Sequence, residues 1–157
     1  MGFPRIVNEK AARTVAAGVA LVGVVALAAG WHWLLAPLAL GFWARVLAGP
    51  RYSPLALLAT RVVAPRLGPP RDVAGPPKRF AQGMGAAITT LGAIAFALGW
   101  TTVTTVLLAL LVVAATLESA FAVCIGCQVF ALLMRAGVIP ETVCLECSDI
   151  SRRLAGA

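Results

Sequence analysis

The segment AVCIGCQVFALLMRAGVIPETVCLEC, residues 122–147, holds all four cysteines of the chain as two Cys-x-x-Cys pairs, Cys124 with Cys127 and Cys144 with Cys147, sixteen residues apart. Four thiolates at this spacing match a tetrahedral zinc site and could equally hold an iron–sulfur centre. A pair acting alone suits electron or sulfur exchange, because a cysteine at a helix N-terminus is favoured as the nucleophilic thiolate. The residues between the pairs do not resemble a zinc ribbon, which uses short strands and glycine-rich knuckles. Gln128 to Arg135 reads instead as a helix stopped by Gly137 and Pro140. The expected arrangement is a helical hairpin with Cys124 and Cys127 opening one arm and Cys144 and Cys147 opening the other. Residues three apart share a helix face, so each pair converges. The helix macrodipole favours the first cysteine of each pair as the attacking group and leaves the second to resolve.

What positions this segment is a strongly apolar chain. At 61% hydrophobic and 12% charged residues over 157, with a mean hydropathy of +0.93, it departs far enough from soluble composition to predict an integral membrane protein. Thr14 to Ala44 and Phe80 to Leu117 contain no Asp, Glu, Lys or Arg. A membrane helix needs about 20 apolar residues, so each stretch divides at an internal turn, Gly30-Trp31-His32-Trp33 and Gly99-Trp100-Thr101-Thr102. The spacing predicts helices near 11–30, 32–48, 82–99 and 102–123. The fold class is therefore all-α: four transmembrane helices as two hairpins, with a short interfacial helix and the C-terminal cysteine segment. The first hairpin is tight, and a shallow re-entrant hairpin is its alternative.

The hairpins resemble each other, since Val25 to Trp31 aligns with Ile94 to Trp100 at an offset of 69 residues. At that offset Gly23 falls on Gly92 and Ala16 on Gly85, small residues that let a neighbouring helix approach. Units of two spans repeat in parallel about an axis along the membrane normal. Four segments follow: 1–50 the first hairpin, 51–80 a cytoplasmic interfacial helix and basic linker, 81–123 the second hairpin, and 124–157 the four-cysteine cytoplasmic segment.

All thirteen Lys and Arg residues fall on one side of this arrangement, at both ends and between the hairpins, and the two hairpin turns contain none. The positive-inside rule makes that side cytoplasmic, placing both termini and the cysteines in a reducing compartment where a permanent disulfide is not expected. A cleaved signal peptide over residues 1–28 would instead leave Trp31 to Leu47 as an unpaired span and the arginine-rich segment on the wrong side.

Between the hairpins, Ser53 and Pro54 open a short helix with Leu55, Leu58 and Val62 on one stripe. Pro65, Pro69, Pro70, Pro76 and Pro77 with Gly68 and Gly75 then read as an extended, solvated basic linker. Its charges, Lys78 and Arg79 included, serve topology and anionic lipid headgroups; no folded basic face points to nucleic acid. Glu118 ends the long uncharged run and is a candidate proton carrier. Counted along a continuous helix it sits about 120° away from Cys124, which favours helix-end placement. His32 between Trp31 and Trp33 reads as an interfacial anchor, and the hydroxyls of Thr101, Thr102, Thr104 and Thr105 as bonded to their own helix.

The block CIGCQVFALL followed by CLEC, within an apolar four-span chain, resembles the bacterial membrane family known as domain of unknown function 4395, across nearly the whole length. The resemblance implies no assigned activity; it implies proximity to thioredoxin-like proteins and sulfurtransferases. The resulting expectation is a multi-pass protein of the bacterial inner membrane, its partners the lipid bilayer and a thioredoxin-like protein or sulfurtransferase with which Cys124, Cys127, Cys144 and Cys147 exchange electrons or sulfane sulfur, without a cofactor. The alternatives are a non-catalytic scaffold in which the same four cysteines bind zinc, and a small transporter for a sulfur compound. The sequence carries no nucleotide loop, catalytic triad or paired carboxylates that would make it a recognisable enzyme.

Overall fold

The structure, a computed structural model, describes residues 4–144. It is mostly helical. A short strand β1 (Ile6–Asn8) leads into α1 (Glu9–Ala29). A 3-10 turn at His32–Leu34 opens α2 (Leu35–Ala48). The connecting segment holds α3 (Pro54–Leu58), a π-helical turn at Ala59–Val63 and α4 (Ala64–Arg66). Strand β2 (Asp72–Ala74), α5 (Gly75–Ala97), α6 (Thr101–Phe121) and α7 (Ile125–Arg135) follow.

Helices α1, α5 and α6 are each long and apolar enough to cross a membrane. At about 1.5 Å per residue, a 21-residue helix matches a hydrocarbon core of about 30 Å. The fourth expected span, His32–Ala48, is shorter than these three, because the αL turn at Gly30 and the Gly49-Pro50 break confine it. Large apolar side chains face outward along the bundle, among them Leu21, Leu40, Leu91, Ile94, Val106 and Val113. Such a surface suits lipid rather than water.

The helices pair crosswise. Helix α1 packs on α6 and α2 on α5, α5 also packs on α6, and α1 and α2 barely meet beyond their connecting turn. The buried positions Leu35, Ala39 and Phe42 of α2 recur 69 residues later in α6 as Thr104, Leu108 and Leu111. The small residues sit at these crossings: a Cβ at Gly85 would overlap the Phe42 ring, one at Gly92 would press Leu35, and one at Gly23 would press Val112. Thr89 and Thr104, both fully buried, donate their hydroxyls to Gly85 and Trp100 carbonyls of their own helices, so neither lines a polar path.

Three features in and around the linker depart from the sequence expectations. Strands β1 and β2 pair antiparallel with Val7 opposite Val73, and Glu9 N–H to Arg71 O and Gly75 N–H to Arg5 O extend the ladder. Three-residue strands are too short to leave a periodic signal. The ladder also corrects the reading of Gly75 to Arg79 as solvated linker: α5 starts at Gly75, seven residues before the expected position, with Pro76 and Pro77 in its first turn. There the missing N–H groups have no helical acceptor to lose. Gly75 is buried, and a Cβ on it would overlap the carbonyl oxygen of Pro4. In the segment expected to form an interfacial helix, the buried stripe is Ala56, Ala59 and Ala64, whereas Leu58 and Val62 are exposed. The π turn ahead of Pro65 shifts the helical phase, and small side chains allow this segment to lie close against α1.

Candidate thiol site

The site begins where α6 stops. Ala122 adopts a left-handed conformation (φ 56°), and the N–H groups of Ala122 and Val123 both bond to the Leu117 carbonyl. The chain therefore turns back, and α7 lies along the start of α5. Gly126 makes that approach close: any Cβ on it would overlap Ala81. Phe80 and Phe130 stack across the same contact with ring centroids 5.7 Å apart.

Cys124 is the N-cap of α7, its Sγ accepting from Cys127 N–H at 3.3 Å. The two sulfurs lie 2.6 Å apart, with the Cys127 thiol donating to Cys124 Sγ. Cys124 is 8% exposed and Cys127 half-buried, and both are free thiols. Beside them, Lys78 Nζ pairs with Glu118 Oε1 at 2.6 Å, both side chains largely buried. The hydrogen bond from Cys127 is the main force holding the Cys124 thiol below its ordinary pKa; the Lys78 charge and the Cys127 N–H add to it, while burial and Glu118 oppose it. The same bond, with burial and the charge on Cys124, pushes Cys127 up. The contact thus favours the thiolate form at Cys124 and the protonated form at Cys127.

Cys124, Glu118 and Gln82 also line one part of a cavity of about 240 Å³ whose remaining walls are apolar, including Val19, Ile88 and Leu111.

Cys144 is not brought into this cluster as a third ligand. Cys144, fully buried after a 3-10 turn at Glu141–Val143, is disulfide-bonded, where the sequence reading expects no permanent disulfide. Cys147 lies outside the described residues. Among the described residues no three His, Cys, Asp or Glu side chains come together as a metal-binding group. The structure therefore presents two kinds of sulfur, a dithiol at Cys124 and Cys127 and a disulfide at Cys144.

Sequence reasoning missed Lys78 and undervalued Glu118. Lys78 follows two prolines that read as linker. The angular argument that separated Glu118 from Cys124 assumed a helix running unbroken to Cys124. The break falls at Ala122, and no glycine, proline or asparagine there signals it.

The model of the family described as Domain of unknown function (DUF4395) matches residues 7–135. The match takes in Cys124, Cys127, Lys78 and Glu118 and stops before Cys144. No curated protein and no solved structure matches the chain. With most of its length covered by that one match, the chain belongs to the DUF4395 family.

Proposed function

We propose that this is a multi-pass protein of the bacterial inner membrane, its termini cytoplasmic, that exchanges electrons or sulfane sulfur with a thioredoxin-like or sulfurtransferase partner through Cys124 and Cys127. The observation that carries the reading is the asymmetric dithiol at the start of α7, two sulfurs 2.6 Å apart with Cys124 held toward its thiolate beside the buried Lys78–Glu118 pair. The distribution of basic residues supports the orientation.

In the electron-exchange form, the Cys124 thiolate attacks one sulfur of a partner disulfide. A Cys124–partner bond forms, the partner S–S bond breaks, and the departing sulfur leaves as a thiolate. Cys127 then loses its proton and attacks Cys124 Sγ, releasing the partner's second thiolate and leaving a Cys124–Cys127 disulfide. The partner has gained two electrons, and this protein has lost them. In the sulfur form, Cys124 takes the outer sulfur of a persulfide donor and holds it as its own persulfide while the donor leaves as a thiolate.

Burial of Cys124 means that a partner must present its sulfur at the opening of the cavity. The test is intact-mass analysis of purified protein after treatment with a dithiol reductant, an oxidised thioredoxin-like protein or a persulfide donor, together with elemental analysis. Reversible loss of two hydrogens mapped by peptide to Cys124 and Cys127, and so distinct from the Cys144 disulfide, or gain of one sulfur atom located on Cys124, in metal-free protein supports the reading. Stoichiometric zinc that resists chelation, with thiols inert to both reagents, replaces it with the metal-stabilised scaffold.

A further inference from the structure

The cavity of about 240 Å³ beside Cys124 has one polar end and an apolar body. Cys124, Glu118 and Gln82 form the polar end, and the walls run from there along α5 and α6 to Ile88 and Leu111. Leu111 lies seven positions, about 10 Å, along α6 from Glu118. Two wall residues, Leu110 and Ile125, are also exposed on the outside of the bundle, which places the mouth on the apolar flank that suits lipid. Cys124 borders the cavity, and the half-buried Cys127 does not.

These walls select a ligand. An anionic persulfide or a glutathione-like disulfide would lose its hydration to apolar side chains and would meet the Glu118 carboxylate and the Cys124 sulfur at the polar end. The occupant is therefore neutral. An apolar cavity of about 150 Å³ takes a benzene ring, so this larger one has room for a substituted ring. Gln82 Oε1 accepts from Arg45 Nε at 2.8 Å, so the amide nitrogen is the group Gln82 has left to donate to a ring oxygen; a neutral disulfide has no oxygen to use it. We propose that the cavity binds the ring of a lipid-soluble quinone and that the Cys124–Cys127 dithiol reduces it. The proposal names an electron acceptor for the dithiol and rests on the thiol reading above.

The Cys124 thiolate adds to a ring carbon and a C–S bond forms. Cys127 loses its proton and attacks Cys124 Sγ; the S–S bond forms, the C–S bond breaks, and its electron pair passes into the ring. The two ring oxygens end protonated, with one proton from Cys127 and one from solvent. A hydroquinone leaves and a Cys124–Cys127 disulfide remains, two electrons having moved from sulfur to the ring. A thioredoxin-like partner in its dithiol form restores the pair by the reverse of the exchange described above.

The test mixes reduced full-length protein in detergent, without oxygen, with a decyl-substituted benzoquinone, following quinone absorbance and mapping the disulfide by peptide. One quinone reduced per Cys124–Cys127 disulfide formed, at a rate that saturates with quinone, is expected. Ala114→Phe fills the cavity from its wall and should slow the reaction about tenfold or more. Leu110→Trp narrows the mouth from an exposed position and gives an independent reading if Ala114→Phe does not fold, with helical circular dichroism and a single gel-filtration peak as the check. Radiolabelled quinone should also bind saturably to a Cys124→Ser/Cys127→Ser variant and be lost from it on adding Ala114→Phe. Absence of saturable binding, binding without thiol oxidation, or reduction indifferent to both Ala114→Phe and Leu110→Trp overturns the proposal. Dibenzyl disulfide oxidising the pair faster than the quinone, and blocked by Ala114→Phe, also overturns it and assigns the cavity to an apolar disulfide. Thiols that exchange with an oxidised thioredoxin-like protein but ignore the quinone sink this inference alone, whereas thiols inert to both sink the thiol reading with it.

Discussion

Lys78 and Glu118 act on Cys124 in opposite directions, the ammonium favouring its thiolate and the carboxylate opposing it, while the Cys127 thiol proton contributes most. Because the folded-state pKa of Cys124 lies below that of an ordinary thiol, its alkylation should reach full rate at lower pH than that of a free cysteine. Lys78→Met removes the favourable charge and leaves Glu118 unpaired, so the midpoint should move up. Glu118→Gln should move it down, and Cys127→Ala should move it up through loss of the hydrogen bond. Peptide mapping of Cys124 modification across pH checks all three, and a midpoint that Lys78→Met lowers would contradict the assignment. At this scale the four cysteines were legible because Cys-x-x-Cys is a local pattern. The ion pair was not, since it joins positions forty residues apart through a turn that the sequence does not mark.

Helix α5 is the element that organises the site, and its close contacts are made by glycines. Gly75 packs beneath the Pro4 carbonyl in the two-stranded ladder, and Ala81 of α5 receives Gly126 of α7. Gly75→Ala, harmless in a solvated linker, should destabilise the protein by about 1–3 kcal/mol because the obstructing atom is backbone. Thermal unfolding in detergent measures it, and an unchanged midpoint would remove the ladder from the account. Gly92→Ala should cost less, since the tips of Leu35 can shift. Gly126→Val should lift α7 from α5 and separate the thiols from Lys78, raising the pH at which Cys124 reacts while the membrane helices stay folded. Hydropathy revealed α1, α5 and α6 because lipid-facing helices are apolar all round. It mis-set the start of α5 because Pro76 and Pro77 argue against a helix interior yet fit a first turn, and it missed β1 and β2 because their three residues each carry no period.

For the whole molecule, three helices with membrane-spanning length and an apolar exterior, basic residues gathered at one end, and Trp31, Trp33 and Trp100 exposed at the other form a consistent arrangement. In a cysteine-free background, a membrane-impermeant maleimide should label a cysteine placed at His32 or Thr101 from outside the cell and not one placed at Pro70. The reverse pattern would put the dithiol in an oxidising compartment and reassign its partner. The central claim, that Cys124 attacks and Cys127 resolves, is tested most directly by expressing Cys127→Ser and Cys124→Ser in cells and separating the products on non-reducing gels with mass spectrometry. Cys127→Ser should accumulate a mixed disulfide with a cytoplasmic protein or a persulfide on Cys124, and Cys124→Ser should accumulate neither. Adducts on Cys127 alone, or none in either variant, would contradict the account.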